Sequence, residues 1–115
     1  MNEEKSKYLI AKDLVTRKAL NLMKQFMMLM KGKIGSGDWD AYITMLTQSG
    51  KFRGGSSLGH GISCKKEGEN TSVVNTGFMR FEAESIDEVR ELLNGNPVYE
   101  AGFEVEIHEL IEELT

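Results

Sequence analysis

Residues 25–31, QFMMLMK, decide how the rest of the chain is read. Taken as a strand, they point Phe26, Met28 and Met30 one way and Met27 and Leu29 the other. A strand that is apolar on both faces is one buried on both faces. A single layer of helices covers only one face of a small sheet, so the other face needs a partner. The simplest partner is a second copy of the same sheet, which makes a homodimer the expectation. A continued helix is the competing reading, because methionine favours helix.

Outward from this strand, towards the N-terminus, Tyr8, Val15, Ala19, Leu22 and Met23 recur at near-helical spacing and predict a helix over 7–24. The chain thus divides into a helical extension, 1–24, and a single domain, 25–115. Towards the C-terminus, residues 32–37 (GKIGSG) form a loop by composition, and Asp38 is placed to cap a helix. Trp39, Tyr42, Ile43 and Leu46 make that helix's apolar stripe, and Gly50 suits the position after its end. A glycine-laden extended stretch follows at 52–64 (FRGGSSLGHGISC), then a hairpin turn at 65–70 (KKEGEN). Residues 73–84 (VVNTGFMRFEAE) read as a strand with Met79, Phe81 and Ala83 on one face and Phe78, Arg80 and Glu82 on the other. Ser85 and Glu88 form a capping box for a helix with the stripe Ile86, Val89, Leu92 and Leu93. Gly95 ends that helix and Pro97 keeps it ended. In a last strand Phe103, Val105 and Ile107 alternate with Glu104, Glu106 and His108, and a helical tail is expected through Leu110, Ile111 and Leu114. The order strand, helix, strand, strand, helix, strand predicts an α+β protein: a ferredoxin-like βαββαβ antiparallel sheet with an extra N-terminal helix.

Composition narrows the function classes. The chain has 115 residues, 28% of them charged, and a formal net charge of −4. It lacks the basic stripe with interleaved aromatics that a nucleic-acid surface needs, so no nucleic-acid partner is expected. No apolar run approaches the roughly 20 residues of a membrane span. One cysteine, Cys64, excludes an intramolecular disulfide and is expected to be a buried, inert thiol. The acidic start, MNEEK, has no apolar run after it, so a cytoplasmic address is the expectation. Two histidines and one cysteine, with no HxH or CxxC pair, argue against a dedicated metal site. No dinucleotide fingerprint, Walker A pattern or nucleophile elbow occurs, so no cofactor is expected.

Three stretches resemble the YCII/DGPF-type proteins of the dimeric α+β barrel superfamily. They are 39–55 (WDAYITMLTQSGKFRGG), 77–93 (GFMRFEAESIDEVRELL) and 94–107 (NGNPVYEAGFEVEI). The resemblance implies a ferredoxin-like fold and a dimer whose sheets pack face to face as a dimeric α+β barrel. Its wider superfamily holds isomerases, dehalogenating enzymes and monooxygenases acting on small organic molecules. Some members resemble one another in a helix histidine and an aspartate before a proline that could act as an acid–base pair. Here Trp39 stands at the histidine's place and Asn96 at the aspartate's, and the DGPF tetrapeptide itself is replaced by Asn75-Thr76-Gly77.

His60 is the candidate catalytic residue. It lies between Gly59 and Gly61, which allow close approach of a ligand, and histidine titrates near neutrality. A hydrogen-bonded or exposed loop histidine is the bland alternative. Arg80 and Glu82 share a strand face and are candidates to bind a small polar ligand; an ion pair between strands or subunits is the alternative. Trp39, Ser57, Asn96 and Glu100 complete the expected ligand-binding set. Two functions follow: a dimer binding a small organic molecule in a pocket near the dimer interface, by His60, Trp39 and Arg80, with lyase- or isomerase-like activity; or a non-catalytic binding or protein-interaction module on the same scaffold.

Overall fold

A computed structural model describes residues 22–32 and 37–111. The expected N-terminal helix lies outside the described residues except at its end, where Lys24 already belongs to the first strand. The elements run β1 (Lys24–Lys31), α1 (Trp39–Gln48), β2 (Phe52–Ser57), β3 (Gly61–Ser63), β4 (Thr71–Val73), β5 (Asn75–Ala83), α2 (Ile86–Glu91), α3 (Pro97–Glu100) and β6 (Val105–Leu110). Four strands form one sheet in the order β2-β5-β1-β6, with every neighbouring pair antiparallel. In β1-α1-β2 and again in β5-α2-β6, the strands joined through a helix run parallel, with a third strand lying between them. The chain is therefore a mixed α+β protein built on a four-stranded antiparallel sheet.

Register explains which side of QFMMLMK is inside. Phe26 lies opposite Phe81, and Met28 lies between Met79 and Ile107. These side chains share one face with Met30 and Ala83, and the helices contribute Tyr42, Leu46, Val89, Leu92 and Val98 to the same core. Tyr42 ties two of the helices together, its hydroxyl donating to the Leu92 carbonyl at 2.7 Å. The other face carries Met27 and Leu29 of β1, Phe78, Arg80 and Glu82 of β5, and Glu106, His108 and Leu110 of β6. Met27, Leu29 and Phe78 are only half-buried there, and none of the described helices lies over them.

The caps form as the residue types dictate. Asp38 accepts from the Ala41 N–H at 2.9 Å, and Gly50 ends α1 at φ +74°, where a side chain would be strained. Ser85 accepts from the Glu88 N–H, but the Glu88 carboxylate returns to Glu84 N–H, one residue before the position a capping box predicts.

Five details differ from expectation. The strand expected over 73–84 is two strands, β4 and β5, parted at the exposed Val74. Ile86 stands at the start of α2 and is 43% exposed, so that helix buries its stripe only from Val89 onward. Pro97, read as a stop, opens the short helix α3: a proline at the first helical position loses no hydrogen bond, and Asn96 caps it. The last strand begins at Val105 and runs through Leu110, taking the first residue of the expected helical tail, whose end (112–115) lies outside the described residues. Cys64 is exposed rather than buried. It follows β3 in a two-stranded sheet that is not hydrogen-bonded to the main sheet.

Candidate functional site

A cavity of about 370 Å³ lies between the start of α1 and the β2–β5 edge of the sheet. Trp39 and Ile43 wall it from the helix, and Met30, Phe52, Ser57 and Thr76 from the sheet, with strand stretches 55–57 and 77–79 completing it. Capping by Asp38 sets where α1 begins and so places Trp39 at its first turn. Phe52 is held by Phe81, their rings 5.8 Å apart and tilted by 50°.

The glycines of this edge have a packing role. The register of β2 on β5 shifts between Phe52 and Gly55, and Gly54 sits at φ +94° within that bulge. A Cβ on Gly55 would run into the Phe78 carbonyl oxygen and lie 2.9 Å from Met79 Cα. A Cβ on Gly77 would lie 2.7 Å from the Ser56 carbonyl oxygen. Strand contact, rather than a ligand's approach, is what these glycines permit.

Chemically the cavity is plain. None of the residues that line it is ionisable. Thr76 donates its hydroxyl to the Gly32 carbonyl at 2.8 Å, and Ser56 donates to the Ser57 carbonyl at 2.9 Å. Neither serine has a base beside it, so the wall offers no activated nucleophile and no general acid or base. Trp39 carries the one anomaly: its Nε1 is buried and has no hydrogen-bond partner.

The sequence candidates separate in space. Trp39 and Ser57 line the cavity. His60 lies in the exposed connection between β2 and β3, outside that lining, and makes no hydrogen bond or ion pair with a described residue. Arg80 and Glu82 sit on the open face of the sheet, where Arg80 donates to Gln25 Oε1 at 2.9 Å and Arg53 lies 3.5 Å from Glu82. The expected grouping of His60, Trp39 and Arg80 around one pocket does not form within the chain, because the sheet lies between Trp39 and Arg80. Glu100 is exposed and accepts from the Gly95 N–H at 3.1 Å. Asn96 is wholly buried and not part of the cavity lining: its oxygen accepts from Val98 and Tyr99 N–H, and its amide nitrogen lies 3.4 Å from Met30 Sδ and 3.7 Å from Met28 Sδ. Its job is to cap α3 and dock it on β1. Phe52, Ile43, Met30 and Thr76 were not singled out from sequence. Only the helix stripe hinted at Ile43, and a cavity depends on how α1 sits over the bulge.

A charged cluster marks the β6 side of the open face. Glu106 pairs with Lys31 and lies 2.8 Å from His108 Nε2. The Lys31 hydrogen bond, and then that of His108, hold the Glu106 carboxyl below its usual range, while Glu106 and Glu104 raise the Lys31 ammonium. A depressed carboxylate stabilises the fold above its ordinary pKa, and that contribution is lost as pH falls through the folded value. A raised ammonium stabilises below its ordinary pKa and loses that contribution as pH climbs through the folded one. Glu106→Gln should therefore flatten the acid limb of a Tm-against-pH curve, and Lys31→Met both limbs. Curves superimposing on wild type would remove the pair's role. Both side chains remain in contact with solvent, so the effect is small and should fade in salt.

No group of three or more His, Cys, Asp or Glu among the described residues could hold a metal ion, and no described helix is long and apolar enough to cross a membrane. Comparison with protein-family models, with curated proteins and with solved structures finds no match to this chain.

Proposed function

We propose that this chain is a small-molecule-binding protein on a ferredoxin-like scaffold of the YCII/DGPF type, acting as a homodimer and working by binding rather than by side-chain acid–base chemistry. The observation that carries the reading is the cavity beneath α1, apolar in most of its wall and without an ionisable side chain. Its volume of about 370 Å³ falls at the lower end of ordinary ligand pockets. The residues resembling a family acid–base site speak the same way. Trp39 lines the cavity, whereas Asn96 is spent on a helix cap.

The dimer rests on the open sheet face. Met27, Leu29 and Phe78 form an apolar strip flanked by Arg80, Glu82, Glu106 and His108, an arrangement suited to a second sheet laid over it. Such a dimer leaves the cavity on the far side of each sheet, beneath α1.

A thermal-shift panel of lactones, phenols, ketones and organic acids tests the binding reading on wild type and on Ser57→Leu, which places a larger side chain at the exposed rim of the cavity. A ligand at a hundred times its Kd adds about 2.7 kcal/mol of stability. A compound that raises Tm in wild type and fails in Ser57→Leu is the expected result; a panel without a hit overturns it. For the dimer, sedimentation should give twice the chain mass for wild type and the single mass for Leu29→Glu, with cooperative unfolding retained. A monomeric wild type at tens of micromolar would sink the dimer.

A further inference from the structure

Resting on that reading, we infer that the cavity selects uncharged ring compounds bearing a hydrogen-bond acceptor, the class of aromatic lactones, esters and ketones, and discriminates against the corresponding acids. Two independent observations carry this.

The first is the charge-free wall. Carrying a carboxylate from water into a site without a counter-charge costs far more than carrying in a neutral carbonyl. The charged side chains Arg80, Glu82, Lys31, Glu106 and His108 lie on the sheet's other face, Lys24 and Glu109 on the helix-covered face pair with each other at 3.9 Å, and none of these lines the cavity. An acid entering beneath α1 therefore finds no arginine or lysine to pair with. The rings of Trp39 and Phe52, with Met30 and Ile43, instead offer flat and adaptable apolar surface to a ring.

The second is the orphan donor. Buried polar groups in folded proteins are hydrogen-bonded, and each exception calls for an explanation. The indole N–H of Trp39 is shut off from solvent and unpaired in a residue that forms the cavity wall. An indole N–H can only donate, so the group it lacks is an acceptor. A carbonyl or ring oxygen in the cavity supplies one once the indole turns about its broad terminal torsion. Thr76 and Ser56 already spend their hydroxyl hydrogens on backbone carbonyls, which leaves the Ser57 hydroxyl at the rim as the one other side-chain donor of the lining. Donation from Trp39 is thus what orients the ligand, and apolar contact is what holds it.

Trp39 is the chain's only tryptophan, which makes the site its own reporter. The test titrates matched pairs into wild type and follows tryptophan emission: dihydrocoumarin against its ring-opened hydroxyphenylpropanoate, and methyl benzoate against benzoate. The expected result is saturable binding of the neutral member, with the acid at least about tenfold weaker. Calorimetric titration of Trp39→Phe, which keeps a ring and removes the donor, should show the neutral ligand weakened about five- to tenfold. An acid that binds as well as its neutral partner overturns the selectivity while leaving the binding reading in place. Unchanged affinity in Trp39→Phe overturns the role of the N–H. If no member of either pair binds although other compounds in the thermal-shift panel do, this inference falls alone. If the whole panel is silent too, the binding reading falls with it.

Discussion

Asn96→Ala is expected to lower the stability of the protein by about 2–4 kcal/mol, summing a lost helix cap, a small void and orphaned N–H groups. The side chain is wholly buried, and it is used from both ends. Its oxygen takes the Val98 and Tyr99 N–H groups at 3.0 and 3.1 Å, which α3 cannot satisfy internally. Its amide faces the sulfurs of Met28 and Met30 on the central strand. Alanine removes all of these contacts at once. Asn96→Ser separates the contributions, because serine can still cap but cannot reach the sulfurs; it should recover about 1 kcal/mol of the loss. Urea unfolding of the three proteins gives the comparison directly. A loss below about 0.5 kcal/mol for alanine would show that α3 docks without its cap.

Gly55→Ala should be comparably damaging, by about 2–3 kcal/mol, although it adds a single methyl group. That methyl has nowhere to go: the Phe78 carbonyl and Met79 Cα of the neighbouring strand already occupy its space, and backbone does not yield as a side-chain tip does. The strain falls on β2, so the variant that still folds should also lose the cavity's sheet wall and bind no ligand. Gly59→Ala is the matched control, since a Cβ there meets nothing within 4 Å. It should leave stability within about 0.5–1 kcal/mol of wild type or raise it slightly by restricting the unfolded chain. Equal effects at the two positions would refute the strand-contact account of Gly55.

Local chemistry was legible in the sequence wherever a short pattern carries its own physics. The alternation in QFMMLMK put Phe26, Met28 and Met30 on one face, and the structure buries those three together. Asp38, Gly50 and Ser85 mark helix ends because caps and left-handed turns depend on the residue itself and its immediate neighbours, whereas α2 ends at Glu91 with Leu92 as its cap, and Gly95 takes its left-handed turn beyond that end. The Asn96-Pro97 pair carried a start signal of the same kind, and it was read as a stop because α3 is only four residues long. Strand order and antiparallel pairing followed from the element sequence, since few ways exist to connect such elements without crossing.

What the sequence could not determine is which residues share a space. His60 sits in a stretch rich in glycine, and glycine suits a ligand's approach, a bulge and a close strand contact equally well. Only the register of β2 on β5 showed that Gly55 and Gly77 serve strand contact and that His60 lies outside the cavity. Trp39 and Arg80 could share one pocket on paper, because spacing along the chain does not say which side of the sheet a helix covers. The connections from β1 through α1 to β2, and from β5 through α2 to β6, place the helices on the face of Met28 and Met79, and so part Trp39 from Arg80. Exposure of Cys64 has the same origin: burial is decided by what packs over a residue, and a short apolar-looking stretch does not carry that information. The amino-acid order by itself determined the main strands and helices, the caps at Asp38, Gly50 and Ser85 and the inner face of the central strand, all set by interactions a few residues long. Only the tertiary structure decided the site, because a cavity is the space left between elements far apart in the chain.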